Sequence, residues 1–219
     1  MIRTGALKIV AAVSALALAG GAQAATLYTQ AALPNGGASA SQNDTGANGN
    51  FATVFDDFTL SATSNITGLN FTGQFFNPNT SVGPISGFTV NFYSDAAGAP
   101  GSTLASSFTT GTAGQSCTGV VCNYSLALNF NADAGTRYWM SIVPDLLFPP
   151  QWGWNFGSGG NGVAYQTFFG TTTQQTRDYA FTLTGNAVPE PATWAMMIAG
   201  FGIIGGALRR RRTGVVATA

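Results

Sequence analysis

The stretch YSLALNF, residues 124–130, decides the fold. Tyr124, Leu126, Leu128 and Phe130 alternate with Ser125, Ala127 and Asn129, so an extended chain would place large apolar groups on one side and small or polar groups on the other. The same period of two recurs outward in both directions. Upstream, Val54, Asp56, Phe58 and Leu60 share one face, as do Leu69, Phe71 and Phe75, and then Phe88, Val90 and Phe92. Downstream, the sets are Tyr138, Met140 and Ile142, then Trp152, Trp154 and Phe156, then Tyr179, Phe181 and Leu183. Turn-forming clusters separate them: Asn77-Pro78-Asn79, Asp95 to Gly101, Asn131 to Gly135 and Gly157 to Gly162. Outside the two ends no window sustains a helical period. Short, regularly spaced strands with turn signals predict an all-β domain over residues 51–186, an antiparallel β-sandwich of jelly-roll-like form.

The composition narrows the chemistry. Only 7% of the 219 residues are charged, against about 25% in an average globular domain. The positive charges sit mainly at the ends, as Arg3, Lys8 and Arg209 to Arg212. Between Ala25 and Ala187, Arg137 and Arg177 face seven aspartates (Asp44, Asp56, Asp57, Asp95, Asp133, Asp145 and Asp178), a net charge of −5. Such a surface repels phosphate backbones, so no nucleic-acid partner is expected. His is absent, which removes Ser–His and Cys–His catalysis. No Lys lies in the body, and no phosphate-cradling Gly motif is followed by one. An enzyme is not expected, nor any cofactor.

The two ends differ from the body. Residues 1–24 read as a signal peptide and its helix: Arg3 and Lys8 lead an apolar run from Ile9 to Ala19, and Ala22-Gln23-Ala24 is a small-x-small cleavage site before Ala25. The run is too short to span a bilayer. Residues 25–50, with Asn35-Gly36-Gly37 and the polar stretch Ser41 to Asn50, read as a flexible lead-in. At the other end, residues 187–213 form a three-part tail. Val188-Pro189-Glu190-Pro191 is short and rigid, since Pro fixes φ and removes a donor. Trp194 to Leu208 is apolar and uncharged, predicting a transmembrane helix over about residues 193–208. Arg209, Arg210, Arg211 and Arg212 follow as a positive-inside cluster.

The run PEPATWAMMIAGFGIIGGALRRRR resembles the PEP-CTERM sorting signal of Gram-negative bacteria in its PEPxxWA form, a region also labelled an ice-binding protein C-terminal domain. The resemblance covers about the last 30 residues, and residues Thr213 to Ala219 extend past the basic cluster. It implies that exosortase, a membrane protease-transpeptidase, recognises Pro189, Glu190 and Pro191, with Trp194 completing the motif. It also implies transient residence in the inner membrane and delivery to the envelope, surface or extracellular matrix, in bacteria that make exopolysaccharide. The body resembles a recurrent secreted β-sandwich of bacterial surface proteins through FDDFTLSATSNITGLNFTG, FTVNFYSDAAGAPGSTL, RYWMSIVPD, WGWNF and DYAFTLTG, which supports the fold.

Several side-chain groups remain to be placed. Cys117 and Cys122, close together in an exported chain, predict a disulfide at a hairpin tip. Two readings stand for Trp152 and Trp154: a stacked platform for sugar rings, or filling for the core. The Ser41 to Asn50 loop and the Asp95 turn offer oxygens suited to calcium, or to ordinary turn chemistry. No dedicated metal motif is present. Asp56 and Asp57, adjacent on a strand, point to opposite faces. The expectation is therefore an exported envelope protein with a structural or adhesive role in the exopolysaccharide or biofilm matrix. The alternatives are an extracellular carbohydrate-binding module using Trp152 and Trp154, and a secreted hydrolase pairing Asp57 with Asp145.

Overall fold

A computed structural model describes residues 24–78, 81–188 and 191–212. The expected signal peptide up to Gln23, the motif residues Pro189 and Glu190, and the segment after Arg212 lie outside the described residues. The strands run in order as β1 (Ala25–Ala32), β2 (Ala38–Ala40), β3 (Gln42–Asp44), β4 (Gly49–Thr59) and β5 (Ser64–Phe76). They continue as β6 (Gly87–Asp95), β7 (Pro100–Thr110), β8 (Ser116–Thr118), β9 (Val121–Ala132) and β10 (Arg137–Leu146). The last are β11 (Gln151–Ser158), β12 (Ala164–Phe168), β13 (Thr171–Gln175), β14 (Asp178–Tyr179) and β15 (Phe181–Ala187), before helix α1 (Pro191–Arg212). The expected all-β class is what forms.

Two sheets result. An eight-stranded sheet has the order β14-β11-β1-β15-β5-β9-β8, with β2 on β11. A seven-stranded sheet has the order β13-β12-β4-β3-β10-β6-β7, with β4 also pairing β10. The period of two explains both. Strand β9 alternates exposed and buried at every position, with Tyr124, Leu126, Leu128 and Phe130 inside. Strands β6 and β10 send Phe88, Val90, Phe92, Tyr138, Met140 and Ile142 to meet them. Phe92 of one sheet stacks on Phe130 of the other, with ring centroids 4.1 Å apart and planes 2° from parallel. Phe71 and Phe88 close the same gap edge to face at 5.4 Å.

Trp152 and Trp154 are fully buried in this interior, so they form no sugar platform. Trp152 Nε1 donates to the Tyr124 hydroxyl at 3.1 Å, and Trp154 Nε1 donates to the Ala180 carbonyl at 2.9 Å. Each indole buries its large apolar area and still satisfies its one donor, which makes the interior its favoured place. Gly73 on β5 makes room for Trp152: a Cβ there would fall within the indole ring.

Residues 25–50 are not a flexible lead-in. Strand β1 lies between β11 and β15, pairing Ala25 with Gly185 and Gln30 with Phe181. Strand β2 pairs with β11, and β3 runs parallel to β10 and antiparallel to β4. Apart from Leu27 and Tyr28, which pack against the core, these strands are built from small and polar residues, and their backbones pair all the same. The buried Ser41 hydroxyl donates to the Ile142 carbonyl and accepts from the Val54 N–H. The buried Gln42 side chain accepts from the Trp152 N–H at 2.7 Å.

Cys117 and Cys122 are joined by a disulfide across the β8–β9 hairpin. Gly119 begins its two-residue turn at φ 62°, a conformation that Gly adopts without a Cβ clash. Gly73→Ala is expected to destabilise the fold by about 3 kcal/mol or more, because no rotamer change moves Trp152 out of a packed interior. Chemical denaturation, read as a lowered midpoint, checks this; an unchanged midpoint would show that the slot is not tight.

Candidate functional site

The outer face of the seven-stranded sheet carries the most developed surface site. Strand parity puts Phe55 and Asp57 of β4 outward when Asp56 and Phe58 point inward. The pairing then lines up Tyr165, Phe55, Ser141 and Asn91 in one row across β12, β4, β10 and β6. A neighbouring row holds Thr172, Thr167 and Thr53. Together with Asn50, Tyr93, Pro100 and Val143, all of these residues except Ser141 line a groove of about 450 Å³. A smaller hollow of about 150 Å³ shares Asn50, Asn91 and Val143 with it and extends to Asn43 and Asp145.

The aromatic part of the groove is braced from the side, by a residue on the same outer face. Trp139 is fully buried and meets Tyr165 edge to face at 5.4 Å. Its Nε1 donates to Asp95 Oδ1 at 2.9 Å. Phe55 and Tyr93 meet edge to face at 5.3 Å, and the Tyr93 hydroxyl lies 3.0 Å from the Ser141 hydroxyl. Burial, opposed by that hydrogen bond, pushes the Tyr93 phenol up, so it stays neutral. Half-buried rings held in fixed rotamers, with amides and hydroxyls around them, suit an uncharged polar ligand with apolar faces. No arginine lines the groove. Arg137 contacts Asp57 at 3.3 Å and Asp95 at 3.9 Å. The Arg177 guanidinium sits 4.2 Å over the Phe156 ring.

The aspartates divide by face and by partner. Asp56 is buried inside the sandwich, where its carboxylate accepts from the Tyr179 N–H at 2.6 Å and the Asp57 N–H at 2.8 Å. Burial pushes its carboxyl well above the ordinary range, against those two bonds. Asp57 is also raised, chiefly by burial, and this outweighs the Arg137 charge and an Asn161 amide at 2.8 Å. Asp178 comes from 121 residues further along than Asp57, accepting from the Gly160 and Gly162 N–H groups at 3.0 and 2.7 Å. The Gly157 to Gly162 segment is thus a clamp on two carboxylates. Sequence gave no sign of this meeting, because it depends on β11 and β14 pairing at Gly157 and Asp178.

Asp57 and Asp145 do not form a catalytic pair. Asp57 lies opposite Trp139, and Asp145 is six residues further along β10, or about 20 Å at ~3.3 Å per residue. A glycosidase pair needs roughly 5–10 Å. Asp145 instead accepts from the Asn43 amide at 2.9 Å.

The Ser41 to Asn50 loop is a clasp. Asp44 Oδ1 accepts from the N–H groups of Gly46 and Phe148, and Oδ2 accepts from the N–H and amide of Asn48, at 2.8 to 3.0 Å. Its oxygens each accept two hydrogen bonds, which is the ordinary turn chemistry of an Asp in such a segment. The Asp95 carboxylate is similarly taken by Trp139, Gly98 and Arg137. No group of acidic or sulfur ligands among the described residues could hold a metal ion.

The tail folds as helix α1, beginning at Pro191 and including the backbone of Arg209 to Arg212. Trp194 is 54% exposed, and Met196, Ile198, Phe201 and Ile203 are at least 70% exposed. The helix has no polar face along its apolar stretch. Among the described residues no helix is long and apolar enough to cross a membrane; the Trp194 to Leu208 stretch spans only about 22 Å at 1.5 Å per residue. Ala24 and Ala25, flanking the expected signal cleavage, are exposed.

Residues 187–212 match the PEP-CTERM protein-sorting motif. The match covers Pro189, Glu190, Pro191, Trp194 and the Arg209 to Arg212 cluster together. No curated protein matches the chain at a significant level. The motif is an export and envelope-sorting signal of Gram-negative bacteria, with exosortase as the processing partner it implies.

The Asp44 clasp has a definite pH signature. Its backbone hydrogen bonds, led by the Phe148 N–H, lower its carboxyl from 3.8 to about 2. The folded value is depressed, so its contribution to stability is present above about pH 4 and lost as pH falls towards 2. The raised carboxyls of Asp56 and Asp57 act in the opposite sense, weakening the fold as pH rises through their folded values. Asp44→Ala is therefore expected to destabilise the protein at pH 6 and to converge on the wild type by about pH 2. Thermal melts of both proteins across that window check it, and a constant gap would refute it.

Proposed function

We propose that this chain is an exosortase substrate delivered to the outer layers of the cell envelope, where its β-sandwich has a non-catalytic structural or adhesive role in the exopolysaccharide matrix. The carrying observation is the sorting-motif match over residues 187–212, in which a rigid acidic motif, an apolar helix and an arginine cluster follow in order. Helix α1 exposes Met196, Ile198, Phe201 and Ile203 around its circumference, and a helix apolar all round needs a protein core or lipid to cover it. In this reading it enters the inner membrane with Arg209 to Arg212 on the cytoplasmic side. Its apolar stretch is short of the ~30 Å hydrocarbon core. Long arginine side chains reaching to the headgroups, and local thinning of the bilayer, offset the difference.

The helix supplies retention, and the motif before it supplies the point of processing. The non-catalytic part is supported by the absence of His and by the wide separation of Asp57 and Asp145. The adhesive part is supported by a body of low charge that folds as two packed sheets.

Mass spectrometry of the native protein tests the processing. In a strain with active exosortase the mature chain should lack helix α1, and in a strain without the enzyme it should keep it. Glu190→Ala should leave most of the chain unprocessed in the membrane fraction. A mature protein carrying an intact C-terminal peptide in the active strain would overturn the proposal.

A further inference from the structure

We propose that the groove on the outer face of the seven-stranded sheet binds a segment of an uncharged polysaccharide. This deepens the matrix role proposed above and rests on it for where the ligand is met, while the site is argued from the groove alone. Four features select this occupant. Tyr165, Phe55 and Tyr93 are half-buried, and Trp139 backs Tyr165 at 5.4 Å while Phe55 meets Tyr93 at 5.3 Å. Such rings give apolar sugar faces a preorganised partner that loses little entropy on binding. The polar lining is neutral: Asn50, Asn91, Thr53, Thr167 and Thr172 offer amide and hydroxyl groups that both donate and accept, as sugar hydroxyls require.

Charge sets the class. The groove has no cationic lining residue, its continuation ends on the Asp145 carboxylate, and the body carries a net charge of −5. Acidic glycans are repelled and neutral ones are not. Shape sets the length. The main groove, about 450 Å³, falls within the ~300–1,000 Å³ usual for ligand sites. With the adjoining hollow it follows β10 from the level of Trp139 to Asp145, or about 20 Å, which suits several consecutive rings of a chain.

Affinity electrophoresis of the full chain in detergent tests this, with hydroxyethylcellulose, galactomannan or mixed-linkage β-glucan in the gel and alginate as the acidic counterpart. The wild type should be retarded by at least one neutral polymer and not by alginate. Tyr165→Ala and Asn91→Ala should each weaken that retardation at least about tenfold. Tyr165→Phe, which keeps the ring, and Asn129→Ala, on the exposed face of β9 in the other sheet, should retain it. Near-ultraviolet circular dichroism identifies any variant that has failed to fold, and Asn91→Ala then carries the test. No retardation by any neutral polymer, retardation by alginate alone, or retardation unchanged in both groove variants would overturn the proposal. Normal C-terminal processing without glycan binding would sink this site and leave the sorting reading standing; glycan binding with an unprocessed tail would do the reverse.

Discussion

The Trp152 indole lies in the slot left by Gly73, and both sheets are organised around it. It reaches the Tyr124 hydroxyl with its one donor and meets Phe71 and Phe88 edge to face. Those contacts join β11, β5 and β9 of one sheet to β6 of the other. An aromatic of this size cannot be buried without its N–H being satisfied and without a facing residue being small. Both conditions are met by residues far apart in sequence. The spacing and register of the two sheets must therefore be right at the same time, and the rows of outward side chains on the seven-stranded sheet inherit that register.

The strands with large alternating residues were legible from sequence, because the pattern is a direct record of which side faces the core. Strand β9 follows that record at every position. Strands β1, β2 and β3 were not legible. Apart from Leu27, Tyr28 and Asp44 their side chains are Ala, Ser, Thr, Gln and Asn, and they are held by backbone pairing to partners over a hundred residues away. Period and hydropathy carry no signal for such pairing. The two tryptophans were ambiguous because one residue type serves a core and a binding face equally well.

The groove was hidden for a related reason. Taking Val54, Asp56 and Phe58 as one face assigns Phe55 to the opposite face, and Tyr93 likewise falls on the face opposite Phe88, Val90 and Phe92. Only the cross-strand register brings Tyr165, Phe55 and Asn91 into one row. The meeting of Asp57 and Asp178 around the Gly160 to Gly162 backbone is of the same kind. The sorting motif of the tail, by contrast, was legible, because its parts are contiguous and are recognised without reference to a fold; the expected membrane span was not borne out, since among the described residues no helix is long and apolar enough to cross a membrane.

Strand β1 begins at Ala25 and lies beside β15, the last strand before the tail, with Ala25 opposite Gly185. β15 sits between β1 and β5, so the first strand of the body takes its place along β15 only after the last strand has been made. Without β15, β1 and β5 each lose a neighbour, so the eight-stranded sheet is complete only when the whole body is present. Loop-closure entropy spanning the whole body makes that last step slow. Once it is complete, the start of the sandwich and the root of the tail lie side by side.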